Sequence, residues 1–198
     1  MSRITEVTKI LLIINVIVYF ASSAILGSNI NAANFLAFHM PGTGFQPFQL
    51  VSHMFMHGNT SHLFFNMFGL YMFGPPLEMA WGPKRFLFYY FFAGFGALIT
   101  HILLSLFMGS VPAPVVGASG ALFGLLAGFG YLYPNQRILL LIPPIPMKAK
   151  YFVLIYAGIE LFLGFGNMLS GIAHFAHVGG AFFGFLLMLY WEKFGSRF

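Results

Sequence analysis

Charge is scarce in this chain of 198 residues, and two kinds of reactive side chain are missing from it. The sequence contains no cysteine and no aspartate, and charged residues make up 7% of it. Hydrophobic residues account for 59%, and the mean hydropathy is +0.86. Because a soluble domain carries roughly a quarter charged residues, this composition indicates a protein that resides in a lipid bilayer.

The missing residue types exclude several reaction classes. Without cysteine there is neither a disulfide nor thiolate chemistry. Without aspartate there is neither a two-aspartate intramembrane protease nor a Ser-His-Asp triad. No glutamate follows a histidine, so the H-E-x-x-H zinc motif is also absent. Serine together with histidine is the catalytic combination that remains.

Six apolar stretches approach the length of about 20 residues that a membrane-spanning helix requires. They cover residues 9–27, 60–80, 85–108, 119–134, 150–168 and 171–191. The end of the first stretch, ASSAILGS, looks like a signal-peptide cleavage region, but removing that stretch would leave the two termini on opposite sides of the membrane. We therefore predict a single domain, residues 1–198, that is an all-α bundle of six transmembrane helices.

Basic residues occur at the two termini and in the connections that follow the second and fourth stretches. The other connections, 28–59, 109–118 and 169–170, carry no charged residue. By the positive-inside rule, we expect an integral multi-pass protein with both termini in the cytoplasm, in the plasma (inner) membrane if the chain is bacterial. The lysines and arginines form scattered pairs rather than a stripe, so no nucleic-acid partner is expected.

Polar side chains cluster at the outer ends of the predicted spans, in residues 53–66, 117–120 and 173–180. The fourth span covers about 22 Å, whereas the hydrocarbon core is about 30 Å thick. If the Arg137 end of that span lies at the cytoplasmic interface, Ser119 is expected roughly 8 Å below the outer surface. His177 is about 9 Å deep if the sixth span enters near Gly171, and Asn66 lies at a similar depth if Trp81 marks the inner interface of the second span. The connection 109–118 must dip to meet Ser119, which requires it to line protein or a wet cavity.

Glycines recur at every fourth residue on two of the predicted spans. The rows are Gly120, Gly124 and Gly128 on the fourth span, and Gly180 and Gly184 on the sixth. Such rows of small residues let helix backbones approach closely in lipid. A pairing of these two helices would bring Ser119 within reach of His177.

Ser119 is predicted to be a nucleophile activated by His177 as general base, a dyad without an acid member. Gly117 and Gly120 allow the backbone to bend so that a substrate carbonyl can approach. As the first residue of a helix, Ser119 contributes unpaired backbone N–H groups that suit an oxyanion. Phe123, one turn later, can lie against the imidazole and fix its plane.

Other polar residues support this dyad or compete with it. His62 and Asn66 are four residues apart and share one helical face, so both can add side-chain donors to the oxyanion site. His174, one turn before His177, is the rival for the role of base. Glu160, in the middle of the fifth span, is interpreted as a structural residue that is held protonated or hydrogen-bonded.

Along nearly its whole length the chain resembles the rhomboid intramembrane serine proteases. The resemblance rests on the family pattern H-x4-H-x3-N at His57, His62 and Asn66, and on the segments LEMAWGPKRFLFYYFFAG, GASGALFG, IPPIPMKAKYF and AHVGGAFFG. It implies a six-helix core with Ser119 as nucleophile and His177 as base. It also implies an oxyanion site formed by Asn66, His62 and the backbone N–H of Ser119.

The resemblance further implies an endopeptidase that cleaves transmembrane segments of other membrane proteins near the outer side of the bilayer. The substrate helix must unwind locally, because a helical peptide bond is shielded and its carbonyl is already hydrogen-bonded. The expected partners are transmembrane substrate proteins and the lipid bilayer. We expect no metal and no other cofactor.

Two rival functions stay open. A metal transporter or metal-dependent membrane enzyme would use the histidines of the outer side, since neutral imidazoles bind zinc. These are His53, His57, His62, His174 and His177. A non-catalytic membrane chaperone that holds client helices would use the same fold. Under the protease interpretation, His53 and His57 are expected to be loop groups.

Overall fold

The computed structural model describes residues 4–26, 35–109, 114–139, 145–165 and 174–195, and most of these residues are helical. The long helices are α1 Glu6–Leu26, α2 Thr60–Trp81, α3 Pro83–Phe107, α4 Ser119–Leu132, α5 Ala149–Phe165 and α6 His174–Phe194. A short helix, Gln49–Ser52, continues into a 3-10 turn, His53–Phe55, before α2. Two short strands, β1 Arg137–Leu139 and β2 Pro146–Lys148, lie between α4 and α5.

Each predicted span coincides with one of these helices, and the all-α prediction is confirmed apart from the two short strands. The ends of the predicted spans at 27, 166–168 and 171–173 lie outside the described residues. By length and hydropathy, α3 and α6 are sufficient to cross a membrane, and α4 is a shorter apolar helix. Six membrane crossings therefore stay a prediction.

Local interactions explain where α2 begins and where it gives way to α3. The Asn59 side chain accepts the backbone N–H of His62 at 2.8 Å, which satisfies one of the donors left unpaired where a helix begins. Gly82, at φ +77°, separates the two helices in a backbone conformation that glycine adopts without steric cost. Pro83 then occupies the start of α3, where a missing N–H is harmless.

The helix α4 packs against both α3 and α6 through small residues. A Cβ built at Gly124 would lie 2.3 Å from the Cβ of Ala93 on α3. A Cβ built at Gly180 on α6 would lie 1.9 Å from the carbonyl oxygen of Gly120. The close approach of α4 and α6 that the glycine rows predict is therefore confirmed.

The beginning of α1 is fixed to the end of α2 by Glu78. The carboxylate of Glu78 accepts the backbone N–H groups of Val7 at 2.9 Å and Thr8 at 2.8 Å. It also accepts the hydroxyl groups of Thr5 and Thr8. The first N–H groups of a helix have no acceptor within it, and a helix N-terminus favours negative charge. Glu78 thus caps α1 from a neighbouring helix.

The connection from α4 to α5 contains a two-stranded antiparallel hairpin. Arg137 pairs with Lys148, and Leu139 pairs with Pro146. The Ala149 N–H donates to the Gln136 carbonyl at 2.8 Å, where α5 begins. The basic residues of this connection therefore lie at the end of α4 opposite to Ser119.

Most of α5 is exposed. Of its 17 residues, Ala149 and Glu160 are the buried ones, whereas large apolar side chains such as Leu154 and Phe162 are 69% and 70% exposed. Burying a carboxylate is costly unless it is paired and hydrogen-bonded. The buried Glu160 therefore requires partners on the neighbouring helices.

Candidate active site

Ser119 is the first residue of α4, and it is half-buried. The preceding residue, Ala118, provides no side-chain hydrogen bond to the start of the helix. The first backbone N–H groups of an α-helix have no acceptor within the helix, so α4 keeps donors beside the Ser119 hydroxyl. Donors of this kind can stabilise an oxyanion.

The segment that leads into Ser119 is held by backbone hydrogen bonds. Phe38 and Val115 form an antiparallel bridge with N–H···O distances of 2.9 and 3.0 Å, and the Gly117 N–H donates to the His53 carbonyl at 2.8 Å. Gly117 has φ +113°, a conformation that residues with a Cβ rarely adopt. The predicted contact of this connection with protein is therefore present at these residues, while 110–113 lie outside the described residues.

The His177 side chain lies beside Ser119. Its Nε2 is 2.8 Å from Ser119 Oγ, a hydrogen-bond distance. A neutral imidazole that accepts at Nε2 carries its proton on Nδ1. The arrangement is that of a nucleophile next to a general base.

Aromatic rings from two helices stack beside the His177 imidazole. The Phe123 ring lies 4.4 Å from the imidazole, centroid to centroid, at an interplanar angle of 6°. Tyr156 of α5 stacks on Phe123 at 5.2 Å and 5°. The predicted contact between Phe123 and the imidazole is present, whereas the presence of Tyr156 in the stack was not predicted.

His62 and Asn66 approach the site from α2. A Cβ built at Gly117 would lie 2.7 Å from His62 Cε1, 2.8 Å from His62 Nε2 and 3.8 Å from Ser119 Oγ. The His62 ring therefore borders the backbone beside Ser119. Asn66 is buried, and its Nδ2 donates to the His62 carbonyl at 2.8 Å. Within the described part of the chain, Asn66 makes no hydrogen bond to Ser119 or His177, so its role as a donor stays a prediction.

His53 and His57 lie before α2 as expected, but both are buried, with exposures of 3% and 4%. Burial lowers the pKa of each imidazole to about 4. The ring of His62, whose centroid is 5.1 Å from that of His57, further lowers the pKa of His57. Both residues are therefore neutral at pH 7 and belong to the protein interior rather than to a solvated loop.

The histidines considered for the metal rival are not grouped as ligands in the described part of the chain. There, no three His, Cys, Asp or Glu side chains are arranged so that they could hold one metal ion. His174 and His177 both present Nδ1 to Glu160. His174, the rival base, thus contacts Glu160, and Ser119 forms its hydrogen bond with His177.

Glu160 is the residue whose place in the site the sequence did not reveal. Its Oε2 is 2.7 Å from His174 Nδ1 and 3.0 Å from His177 Nδ1. The contact with His174 has hydrogen-bond geometry. The His177 N–H is not aligned with Oε2, so this second contact is electrostatic. The spacing of the two histidines places them on one face of α6, but nothing in the sequence indicates that this face packs against α5.

A family model described as Rhomboid domain matches residues 44–193, a range that includes all of these site residues. Rhomboid protein 1, mitochondrial, of Saccharomyces cerevisiae is 32% identical over 145 residues, which are 73% of this chain and 42% of that protein. RHOMBOID-like protein 4 of Arabidopsis thaliana is 36% identical over 145 residues, 73% of this chain and 34% of that protein.

A bacterial relative is similar to the same degree. Rhomboid protease GluP of Bacillus subtilis is 32% identical over 137 residues, which are 69% of this chain and 24% of that protein. The chain therefore spans less than half the length of these three curated relatives.

Proposed function

Because the chain belongs to the rhomboid family of intramembrane proteases, we propose that it is a serine endopeptidase that cleaves transmembrane segments of other membrane proteins. Ser119 is the nucleophile and His177 is the general base. The observation that carries the proposal is the 2.8 Å hydrogen bond between Ser119 Oγ and His177 Nε2, which joins residues 58 positions apart in the chain. Such a pair is what nucleophilic catalysis by a serine requires.

In the acylation step, Ser119 Oγ forms a bond to the substrate carbonyl carbon while its proton passes to His177 Nε2. The carbonyl oxygen becomes negatively charged and is stabilised by the free backbone N–H groups at the start of α4, with His62 as a side-chain donor. The peptide C–N bond then breaks, and His177 gives its proton to the leaving amine. An ester on Ser119 and a new amino terminus result.

In the deacylation step, water attacks the ester carbonyl and gives a proton to His177. The ester C–O bond breaks, and the Ser119 oxygen takes that proton back as the new carboxyl terminus leaves. Because Ser119 and His177 supply the nucleophile and the base, we expect no metal and no other cofactor. Asn66 is assigned, together with His62, to the stabilisation of the oxyanion.

We place the site near the outer side of the bilayer. Ser119 and His177 lie in the first turns of α4 and α6, and Arg137 and Lys193 lie near or beyond the opposite ends of these helices. The positive-inside rule assigns those basic ends to the cytoplasm. The 14 residues of α4 measure about 21 Å and fall short of a core about 30 Å thick. Ser119 would then lie below the outer surface.

All six long helices are proposed to cross the membrane, with both termini in the cytoplasm. α1, α2 and α5 contain 21, 22 and 17 residues, close to the length of about 20 that a span requires. The partners are then the lipid bilayer and proteins with a transmembrane segment. If the chain is bacterial, the membrane is the plasma membrane.

The proposal is tested with the purified protein in liposomes and a substrate that has one transmembrane segment, with the products identified by mass spectrometry. Ser119→Ala and His177→Ala are expected to lower the rate by at least about 10³-fold. Ser22→Ala is the matched control, because its hydroxyl donates to the Tyr19 carbonyl within α1 and its removal should leave the rate unchanged. Cleavage by Ser119→Ala at the wild-type rate would refute the assignment of the nucleophile.

The same assay separates the rival functions. A chelator should leave the activity intact, whereas a loss that zinc restores would favour the metal-dependent enzyme. Reaction of Ser119 with a fluorophosphonate is expected to disappear in His177→Ala and to persist at a reduced rate in His174→Ala. A wild-type protein that binds the substrate helix without cleaving it would favour the chaperone.

A further inference from the structure

Glu160 is a buried carboxylate on a helix that is otherwise largely exposed. It is 6% exposed, while its chain neighbours Ile159 and Leu161 are 45% and 38% exposed. An ionisable group inside a membrane protein is costly, and such groups are found paired or facing a cavity. The position of Glu160 therefore has to be explained by its partners.

Two histidines of α6 are those partners. Glu160 Oε2 lies 2.7 Å from His174 Nδ1 and 3.0 Å from His177 Nδ1, and His177 Nε2 lies 2.8 Å from Ser119 Oγ. Carboxylate, imidazole and hydroxyl thus follow one another in the order found in a catalytic triad. We propose that Glu160 is the positioning residue of the Ser119–His177 pair, an inference that rests on the proposed function of that pair.

The contact at Nδ1 selects the tautomer that catalysis needs. A neutral imidazole accepts a proton at Nε2 when its own proton is on Nδ1, and a carboxylate beside Nδ1 favours that form. The same carboxylate stabilises the positive charge that His177 gains when it takes the Ser119 proton. The His177 N–H is not aligned with Oε2 in the resting site, and catalytic hydrogen bonds commonly tighten when substrate binds.

His174 holds the carboxylate in place. Its Nδ1 forms a 2.7 Å hydrogen bond with Glu160 Oε2, which directs the Glu160 side chain toward α6. His174 lies one helical turn before His177. The three-residue spacing from His177, which makes His174 a rival for the role of base, also places the His174 side chain beside the Glu160 carboxylate. Tyr156 lies one turn before Glu160 on α5 and stacks on the Phe123 ring, which in turn lies against the His177 imidazole. Two residues of α5, Glu160 and Tyr156, therefore contact the surroundings of His177.

The groups around His177 differ in the charge they can carry. The titratable side chains that interact with it from other helices include His62 on α2 and His101 on α3, and His174 lies on its own helix. Tyr156 interacts with Glu160, and tyrosine is neutral at pH 7. Among the described neighbours of His177, Glu160 is the group that can be negative at that pH, so its removal should change the charge near the imidazole most directly.

Glu160→Gln tests the inference because it removes the charge and keeps the size of the side chain. The kcat of cleavage is expected to fall about 10- to 100-fold, with KM changed less than about 2-fold. The fall in kcat is expected because the protonated imidazole loses the carboxylate that stabilises its charge. Glu160→Asp, which keeps the charge, should recover part of kcat.

Glu78→Gln is the matched control, since it neutralises a second buried glutamate whose hydrogen bonds go to α1. It should lower thermal stability and leave the kcat of the folded fraction unchanged. If Glu160→Gln gives that same result, Glu160 is a structural residue and the proposal is overturned.

A measurement on the wild-type protein does not depend on a variant that folds. Nitrogen-15 NMR of histidine-labelled protein is expected to show the proton of neutral His177 on Nδ1, and a proton on Nε2 would contradict the proposal. Ser119→Ala is assayed alongside. If it cleaves like the wild type, the proposed function fails. If it is inactive while Glu160→Gln retains the wild-type kcat, the inference about Glu160 fails alone.

Discussion

The ring of Phe123 lies parallel to the imidazole of His177, with 4.4 Å between the ring centroids. A flat neighbour limits rotation of the imidazole about its χ2 torsion, which is otherwise broad. Since the proposed mechanism requires Nε2 to face Ser119 Oγ, the stack favours the orientation that His177 needs as the proposed base. It joins α4 to α6 one turn after Ser119.

Phe123→Leu should therefore lower activity more than stability. The variant keeps an apolar side chain but removes the flat surface, and we expect kcat to fall about 10-fold, a loss of about 1.4 kcal/mol in transition-state stabilisation. Phe129→Leu is the matched control, because Phe129 is also buried on α4 and packs on Phe73 rather than on His177. Both variants should lose about 1 kcal/mol of unfolding free energy. Equal falls in kcat would argue against an orienting role for the stack.

The contact of Gly180 with Gly120 should not tolerate a side chain. In Gly180→Ala the new Cβ would meet the Gly120 carbonyl oxygen at 1.9 Å, and a backbone atom cannot move aside as a flexible side chain can. α4 and α6 must then separate, which we expect to lower the free energy of unfolding by about 1–3 kcal/mol and to carry Ser119 away from His177.

Gly158→Ala on α5 is the control for the effect of alanine in a helix. A Cβ at Gly158 would have no atom within 4 Å, so this variant should gain about 0.5–1 kcal/mol from the better helix propensity of alanine. Thermal unfolding in detergent compares the two variants. A Gly180→Ala protein as stable and as active as Gly158→Ala would contradict the packing of α4 on α6.

Gly117 should be sensitive to substitution for two separable reasons. Its φ of +113° strains any residue with a Cβ, and that Cβ would also lie 2.7 Å from His62 Cε1. Gly42→Ala isolates the first effect, because Gly42 has φ +92° and no atom within 4 Å of a new Cβ. We expect both variants to lose about 1 kcal/mol of unfolding free energy, and Gly117→Ala alone to lose most of its kcat. Similar kcat values in the two variants would mean that displacing the His62 ring does not affect catalysis.

The sequence predicted the pair Ser119 and His177 because several independent signals pointed to one depth, and because the glycines at 120 and 180 favoured a close pairing of their helices. It did not predict the contacts of Glu160 or Tyr156. Which side of α5 faces α6 depends on the rotation of that helix, and α5 exposes apolar residues on most of its surface, so no amphipathic pattern fixes the rotation. The capping of α1 by Glu78 was hidden for a similar reason, since it joins residues 70 positions apart.

The acid sensitivity of the fold should depend on His53. Its imidazole is buried, its Nδ1 is 2.8 Å from the Gln49 carbonyl oxygen, and burial lowers its pKa from 6.5 to about 4. Between those values the unfolded chain binds more protons than the folded chain, so the free energy of unfolding falls as the pH drops from 6.5 to about 4. This one group contributes on the order of 3 kcal/mol to that fall, and nothing further below about pH 4, where both states are protonated.

His53→Phe keeps an aromatic ring that cannot take up a proton. Thermal unfolding between pH 7.5 and 4 should therefore show a shallower loss of stability than in the wild type. His57, whose pKa is also lowered to about 4 by burial, should contribute in the same direction, so adding His57→Phe should flatten the profile further. If the single variant instead loses stability as steeply as the wild type over this range, His53 is protonated as easily in the folded protein as in the unfolded chain, and the burial of its imidazole is not maintained in the folded protein.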